Sequence, residues 1–460
     1  MSNQTDRLSK STLMAYASPA IPIGALGIPL AIYVPPFFAQ ELGLGLAVVG
    51  MVFMLARVWD VFTDPVLGIL SDRYPSRWGR RRHWLALSVP ILMLSTYMLF
   101  MPNPQDVSPW YLGMWIFILY IGWTLLSLTH QAWGAEVSPN YHERSRITGA
   151  REIFIIIGSV FCLLLPSIIE QMNPENLEMA RMSAMGWMVI ILLPLTILWA
   201  SIKVKEKPAR PVESISWSET FQTLKKNGPM QRLLASDVLV GIIQNITASL
   251  FLFYAADILK LGTWASLILL LNFISGLFYI PLFIALSNKL GKHITLCVCM
   301  VLYAVGLNAV WFIPEGAVVA TAVLMLLLGM SVGAPTALIR SMMADVVDED
   351  TVKTGKERAG LFFSLHSLTW KLGSALAIGI TYLVLAYIGY TPGEANTDTA
   401  NLGFMCLFIL PPVVLSLAIV AIVYRFPITR ERQEQNRKIL EARGKTESVN
   451  QEVEQELQPV

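Results

Sequence analysis

Residues 57–82 read RVWDVFTDPVLGILSDRYPSRWGRRR, an apolar segment that carries charges and then runs into a dense basic loop. Asp60 and Asp64 are four residues apart, so a helix places both carboxylates on one face, one turn from each other. Arg57, three residues before Asp60, shares that face. Two carboxylates at this spacing repel each other unless a proton, a cation or a basic side chain lies between them. The pattern therefore indicates either a site for an exchangeable cation or a structural ion pair between Arg57 and one aspartate.

The composition around this stretch is that of a membrane protein. Of the 460 residues, 55% are hydrophobic and 14% charged, with a mean hydropathy of +0.56, whereas soluble domains carry about 25% charged residues. Apolar runs such as 153–169 and 185–202 match the hydrocarbon core of a bilayer, which takes about 17 to 25 helical residues to cross. We therefore expect an all-α polytopic membrane protein, in which charges on the second span face protein or a wet cavity.

Several function classes receive no support from the sequence. It contains no phosphate-binding loop, and no Ser-His-Asp arrangement, metal cluster or nucleotide motif stands out. The net charge of +2 resides in short loops, so nucleic acid is not an expected partner. Residues 1–11 are polar and the first apolar stretch is too long for a signal peptide. The cysteines lie in apolar segments and predict neither disulfides nor a metal site; they are Cys162, Cys297, Cys299 and Cys406. We expect no enzyme and no cofactor.

The apolar pattern predicts twelve spans in two bundles. A polar, basic linker at 203–229 separates a first bundle at 1–202 from a second at 230–425, and 426–460 form a tail. The first span is rich in proline and glycine, so we expect it to be kinked and packed on protein. The predicted spans are 12–39, 45–71, 83–101, 109–135, 146–169, 183–202, 230–256, 263–286, 293–313, 317–344, 358–388 and 402–425.

Basic residues in the short connections predict the orientation. Lys and Arg mark the cytoplasmic side of a membrane protein, and here they concentrate after the even-numbered spans. The opposite connections carry only Arg181 and Lys260. Both termini are therefore predicted to be cytoplasmic. The basic residues on that side include Arg77, Arg82, Arg144, Arg146, Lys203, Lys205, Lys225, Lys226, Lys289, Lys292, Lys353 and Lys356.

Three motifs resemble one transporter family. After the second span, Gly68 to Arg73 followed by Gly79-Arg80-Arg81 resembles the loop signature of the major facilitator superfamily, with Asp72 and Gly79 seven residues apart. That longer spacing, the upstream Arg57-x-x-Asp60-x-x-x-Asp64-Pro65, the stretch 344–363 and the stretch 135–151 look like the glycoside–pentoside–hexuronide:cation symporters, the family of the melibiose permease. The resemblance implies the twelve-helix major facilitator fold and covers both halves.

The resemblance also implies a coupling-cation site. The paired aspartates of the family bind Na+, Li+ or H+, and they match Asp60 and Asp64. An asparagine of the melibiose permease that supports the metal ion corresponds to Thr63, which offers an oxygen but weakens the expectation of Na+. The family's lysine on span 11 matches Lys371, and an intramembrane lysine needs a carboxylate partner. If Na+ is used, its expected ligands are Asp60 and Asp64.

The substrate site carries over only in part. The sugar-binding acids of the melibiose permease fall here near Met14–Ala20 and at His130-Gln131, where this sequence has no acid, so a galactoside is not supported. His130 and Gln131 are either substrate ligands or polar contacts between helices, and the tryptophans of span 4 either stack on substrate or pack. The candidate substrate residues are Tyr33, Trp123, His130, Gln131, Trp133, Arg151, Asn245 and Trp370.

Charged residues at helix ends are candidate gates, because ion pairs there can break and re-form as one side opens. One predicted cluster joins Asp72, Arg73, Arg80 and Arg81. A second predicted cluster joins Asp345 and Asp348 with Lys353 and Arg358.

Together these features predict a secondary active transporter that couples Na+ or H+ to import of a sugar, glycoside or uronate by rocking of two bundles. The alternative substrate is a lysolipid or another amphiphile. A non-transporting receptor or scaffold on the same fold is the competing class, and it predicts loss of the intramembrane charges that this sequence keeps. The expected partners are a small-molecule substrate, a coupling cation and the lipid bilayer, for a monomer in the plasma membrane, as in the bacterial inner membrane.

Overall fold

The computed structural model describes residues 8–74, 76–138, 141–172, 175–204, 224–355, 358–440 and 442. Within these residues the chain is almost entirely helical, and twelve helices are long and apolar enough to cross a membrane. The predicted all-α fold with twelve spans is confirmed. Spans 1 to 12 consist of the helices Lys10–Ala17 with Ala20–Ile32, Leu46–Arg73, Arg82–Phe100, Pro109–Val137, Tyr141–Met172, Leu177–Lys203, Gly228–Phe253, Ala265–Leu290, Lys292–Asn308, Val318–Leu328 with Met330–Thr354, Ala359–Tyr387 and Asp398–Val423.

Span 1 is broken as its prolines predict. Its first helix ends at Ala17, and a second begins at Ala20 and contains Pro29. A short helix Val34–Pro36 and a π-helical turn Phe37–Glu41 continue it. Nearly every residue from Ala15 to Ala39 is buried or half-buried, so the irregular backbone is covered by protein rather than lipid.

Six spans pack together on either side of the central connection. In the first half, span 1 packs on span 5, and span 4 lies between spans 2 and 3; in the second half, span 7 packs on spans 11 and 12, and span 10 packs on spans 8 and 9. Residues 205–223 of the predicted linker and 443–460 of the predicted tail lie outside the described residues. With an even number of spans, span 1 begins and span 12 ends at the same end of the molecule, called here the terminal end.

The two halves meet mainly along two helix pairs, span 2 with span 11 and span 5 with span 8, with a smaller contact between spans 1 and 7. Span 11 approaches span 2 closely because glycine occupies the contact on each side. A Cβ atom at Gly50 would lie 2.7 Å from the Cβ of Tyr382, and one at Gly379 would lie 2.6 Å from the Cβ of Met54. This packing brings the charged residues of spans 2 and 11 face to face.

Candidate functional site

A charged group joins the two halves within spans 2 and 11. Span 2 carries Asp60, which is buried, and Asp64, whose side chain is 23% exposed. Lys371 reaches them from span 11 of the other half. Its Nζ lies 2.9 Å from Oδ2 of Asp60 and is in direct contact with Oδ2 of Asp64. The structure thus brings together the three residues that the resemblance assigned to coupling.

Thr124 of span 4 completes this group. Its Oγ1 lies 2.7 Å from Oδ1 of Asp60 and 3.0 Å from Oδ1 of Asp64, so the single hydroxyl hydrogen can be donated to either carboxylate. Thr63 does not play this part, because its hydroxyl donates to the backbone carbonyl of Asp60 at 3.2 Å. A lone threonine in an apolar span carries little sequence signal, which is why we did not predict Thr124. We call Asp60, Asp64, Thr124 and Lys371 the charged bridge.

Arg57 does not fill the role of a structural partner for the aspartates. Its guanidinium lies over the ring of Tyr120, 4.6 Å from the ring centre, in a cation–π contact. The charged bridge therefore sums to a formal charge of −1 from Asp60, Asp64 and Lys371. Carboxylate and hydroxyl oxygens suit a proton or a hard monovalent cation, and one such cation neutralises the group. Among the described residues, no three His, Cys, Asp or Glu side chains cluster as a metal site.

A cavity of about 980 Å³ lies between the halves, with walls from both. Of the candidate substrate residues, four line it: Gln131, Arg151, Asn245 and Trp370. Asn245 is held by Ser374, whose Oγ accepts from its amide at 3.0 Å. Sequence reasoning missed Arg340 of span 10 as a second guanidinium in the wall, beside Arg151 of span 5.

Four other candidate substrate residues do not line the cavity. His130 is fully buried, its Nε2 lies 2.7 Å from the backbone oxygen of Tyr16, and the Tyr16 hydroxyl donates to the His130 carbonyl at 3.1 Å. These contacts make His130 a link between spans 1 and 4, one of the two alternatives left open for it. Trp133 packs edge-on against the same tyrosine. Trp123 lies against Gly27 of span 1.

Tyr33 lies in a seal between the halves, at the end opposite the termini. Its hydroxyl donates to Oγ of Ser266 at 2.9 Å. The backbone N–H of Ser266 donates to the carboxylate of Glu170 at 3.3 Å, and Gln171 donates to the carbonyl of Thr263 at 3.2 Å. Glu170 is also paired with Arg181 of span 6. We call Tyr33, Glu170, Gln171, Thr263 and Ser266 the opposite-end seal.

The described ion pairs of Arg80 and Arg81 at the terminal end run to Glu136 of span 4. Arg81 donates to Glu136 at 2.6 Å and to Ser71 at 3.1 Å, and Arg80 lies 3.9 Å from Glu136. The side chains of Asp72 and Arg73 lie outside the described part of the structure. Each of these described contacts stays within the first half.

Three residues of the second predicted gate, Asp345, Lys353 and Arg358, contact other partners in the described part of the structure. Asp345 pairs with Lys292 at 2.6 Å, whereas Arg358 pairs with Asp350 at 2.7 Å. Lys353 pairs with Glu349 one turn away. The expected cluster of these acids and bases is therefore divided into separate pairs, all inside the second half.

The sequence model of MFS/sugar transport proteins matches residues 15–430. The chain belongs to this family. Its relatives include the glucuronide carrier protein homolog of Escherichia coli strain K12, 24% identical over 87% of this chain and 89% of that one. The isoprimeverose transporter of Lactiplantibacillus pentosus is 23% identical over 85% and 83%. These matches confirm the predicted resemblance to glycoside–pentoside–hexuronide:cation symporters, and the relatives are transporters rather than enzymes.

Two further comparisons bear on substrate and fold. A sodium-dependent lysophosphatidylcholine symporter of Gallus gallus is 22% identical over 95% of this chain and 90% of its own. The crystal structure of the nucleoside transporter NupG superposes with a TM-score of 0.66 at 16% identity, covering 90% of this chain and 99% of that chain. The structural likeness shows the major facilitator fold.

Proposed function

We propose that this transporter couples uptake of an acidic sugar or glycoside to one monovalent cation, Na+ or H+, through the charged bridge. The observation that carries the proposal is that Lys371 of one half shares two carboxylates of the other half with Thr124. A group that joins both halves and is left with a net negative charge responds to cation binding and to relative motion of the halves at once.

The cation changes the energy of that motion. An unbalanced charge is costly within a bilayer, so the charged bridge at −1 disfavours closure of a dry cavity around it. A bound cation cancels this charge and competes with Lys371 for the carboxylate oxygens. Closure around the loaded site and reopening on the other side then become accessible by rocking of the two halves.

The cavity wall favours an anionic sugar. Arg151 and Arg340 come from different halves, and a guanidinium can bind a carboxylate or sulfonate through two parallel hydrogen bonds. Arg151 is paired with Glu152 of the same wall at 2.9 Å, so Arg340 supplies the unbalanced positive charge among these three residues. Trp370 offers a ring face for a sugar, and Gln131 and Asn245 offer amides. Among the relatives, one is named a glucuronide carrier homolog and another a putative sulfoquinovose importer, which are names of acidic sugars.

The exposure of the cavity wall supports access from the terminal end. Gln131, Thr148 and Arg340 are exposed there, whereas Ile32 and Phe251 are buried toward the opposite-end seal. With the termini in the cytoplasm, as the basic connections predict, this arrangement corresponds to an inward-open state.

A lysolipid is the second candidate, supported by the lysophosphatidylcholine symporters among the relatives. Aliphatic and aromatic residues such as Ile155, Leu269 and Phe273 also line the cavity and would suit an acyl chain. The two candidates make different demands on the arginines, because a zwitterionic head group needs no net cationic wall.

Thermal stabilisation of the purified protein tests the proposal, because a bound ligand raises apparent stability by mass action. The panel contains neutral glycosides, uronates, sugar sulfonates and lysolipids, each in NaCl and in choline chloride at two pH values. We expect stabilisation by an acidic sugar that depends on Na+ or on pH. It should weaken about 10- to 100-fold in apparent affinity in Arg340→Gln, in the range of a charged hydrogen bond, and remain in the cavity-wall control Thr336→Val. Stabilisation by lysolipids with silent sugars would select the second candidate.

A further inference from the structure

A second ionisable pair lies between spans 7 and 11, apart from the charged bridge. Asp237 of span 7 is completely buried, and His366 of span 11 is 5% exposed. The His366 Nδ1 lies 3.1 Å from Oδ2 of Asp237. Thr369, one turn along span 11, lies with its Oγ1 2.8 Å from the same carboxylate oxygen. Both residues belong to helices long and apolar enough to cross a membrane.

The carboxylate is incompletely satisfied by its surroundings. Its Oδ1 is buried and has no hydrogen-bond partner among the described residues. The Nδ1 of His366 is at ion-pair distance from Oδ2 but outside hydrogen-bonding geometry. A buried carboxylate left ionised beside a neutral imidazole carries an uncompensated charge, which is expensive in a low-dielectric interior. One proton on the pair removes that cost.

No other cation is placed to neutralise Asp237 in the described structure. Span 7 packs on spans 1, 8, 10, 11 and 12. Lys371 of span 11 is engaged by Asp60 and Asp64, and span 12 carries no Lys, Arg or His between Ala400 and Val423. Arg232 of span 7 itself donates to the backbone carbonyl of Arg425. The remaining charged or titratable groups on the spans packed against span 7 are Lys10, Tyr16, Tyr279, Lys289, Arg340, Asp345, Asp348, Glu349, Asp350, Lys353, Tyr382, Tyr387, Asp398 and Cys406. Of these, Tyr16 and Arg340 share the cavity wall with His366.

The pair also has a route for proton exchange. His366 borders the central cavity, next to Ser367 and Trp370, whereas Asp237 lies behind it. A proton from cavity water can therefore reach the imidazole without crossing an apolar layer. On protonation, the imidazole becomes an imidazolium that pairs with the Asp237 carboxylate; on release, the proton returns to the water.

We propose that Asp237 and His366 form a proton-binding site of the second half, separate from the charged bridge and served by the cavity. The site lies five residues before Lys371 on span 11, about 7.5 Å along the helix at about 1.5 Å per residue. Lys371 faces span 2, whereas His366 and Thr369 contact Asp237 of span 7. Span 11 thus carries one ionic site toward each half, and the second site goes beyond the coupling proposed above.

Magnetic resonance of isotopically labelled histidine tests the site without any knowledge of the substrate. The protein has five histidines, so His366→Gln assigns the signal in the purified full-length protein. We expect the wild-type His366 ring nitrogens to report a doubly protonated ring at the acidic end of a titration over about pH 5 to 9. In Asp237→Asn the signal should report neutral imidazole under conditions where the wild type is charged, because the amide does not stabilise an imidazolium.

Controls separate the proposal from a structural contact. His130, which is buried without a carboxylate partner among the described residues, should show no response to Asp237→Asn. Thr369→Val removes a hydroxyl near Oδ2 and keeps the carboxylate, so it should change the His366 signal less than Asp237→Asn does. If Asp237→Asn does not fold, the wild-type titration and the Thr369→Val variant still test whether Asp237 and His366 form a proton-binding site. A His366 signal that stays neutral throughout, or that titrates but ignores the change at position 237 or 369, overturns the proposal.

Discussion

The charged bridge and the opposite-end seal both join the two halves, but they are built from different chemistry. In the charged bridge, three ionised side chains and one hydroxyl meet, and Lys371 and Asp64 keep 18% and 23% of their side chains exposed. In the opposite-end seal, a carboxylate with no exposed surface accepts a backbone N–H, and hydroxyl and amide groups complete the contact.

The difference matches two tasks. A partly accessible charged group can exchange one cationic partner for another, as a coupling site must. A contact built on a buried carboxylate and a backbone donor has no mobile cation to exchange and instead forms or breaks with the approach of the halves, as a gate does. At the terminal end, the described ion pairs of the candidate gates stay within one half, which agrees with a cavity that is open there.

Lys371→Met should produce the largest effect, because it breaks the charged bridge and leaves two adjacent carboxylates. Removing one partner of a buried ion pair costs about 3–5 kcal/mol, so we expect a large loss of thermal stability and of transport. The double variant Lys371→Met with Asp64→Asn should recover part of the stability. The control Arg430→Met removes an exposed pair with Glu434, worth about 0–1 kcal/mol. A single variant as stable as the wild type would contradict the charged bridge.

Glu170→Gln should open the opposite-end seal. The loss of a charged acceptor for Ser266 and Arg181 costs about 2 kcal/mol. This corresponds to about a 30-fold shift in the population ratio from the closed to the open form of the seal. Spin labels at Met172→Cys and Trp264→Cys, both exposed, report the separation of the halves, and a longer distance should become populated. Glu178→Gln affects the same arginine within the first half and should leave the distance unchanged. Equal label distances in Glu170→Gln and Glu178→Gln would show that Glu170 does not hold the seal closed.

Thr124→Val and Thr63→Val sharpen the description of the charged bridge. Thr124→Val removes the hydroxyl that lies between the two carboxylates. We expect the free energy of cation binding to weaken by about 1–2 kcal/mol, or about a 5- to 30-fold loss of apparent cation affinity. The Thr63 hydroxyl bonds its own helix, and its replacement should change that affinity by about twofold or less. Cation-dependent thermal shifts measure both. The reverse order would assign the supporting oxygen to Thr63, as the resemblance first implied.

Tyr33→Phe should produce the smallest effect, a loss of about 1 kcal/mol from one hydrogen bond to Ser266. The label distance across the opposite-end seal should show a modest population of the open form. Tyr111→Phe is a matched control, because its hydroxyl bonds Met98 within the first half. If both phenylalanine variants gave the same distances, Tyr33 would be a packing residue only.

Much of this architecture could be predicted because hydrophobic periodicity and charge clusters are local signals. The twelve spans, the broken first span and the pairing of Lys371 with Asp60 or Asp64 follow from residues that are expensive in a bilayer and so need partners. Thr124, Arg340 and the Asp237–His366 pair could not be predicted in the same way. A hydroxyl, a single arginine within a helix or a lone histidine has many satisfactory environments, and only the packing of distant helices selects one.

The candidate gates at the terminal end also show that partners of charged residues could not be predicted from the sequence. The sequence offered many acids and bases there, and any of several pairings would satisfy local charge. Because span 9 packs against span 10, Asp345 forms an ion pair with Lys292. Because Arg358 lies in the turn before span 11, it forms an ion pair with Asp350. Buried helix faces such as that of His130 were also ambiguous, since a polar group between helices and a ligand look alike in sequence.

The most direct test of the central claim compares the wild type with Asp64→Asn, using the acidic sugar that stabilises the purified protein. Its apparent affinity is measured from thermal shifts in NaCl and in choline chloride at two pH values. The charged bridge predicts that the wild type binds the sugar more tightly with the coupling cation, and that Asp64→Asn binds it with no dependence on Na+ or pH. Full cation dependence in Asp64→Asn would show that coupling resides elsewhere.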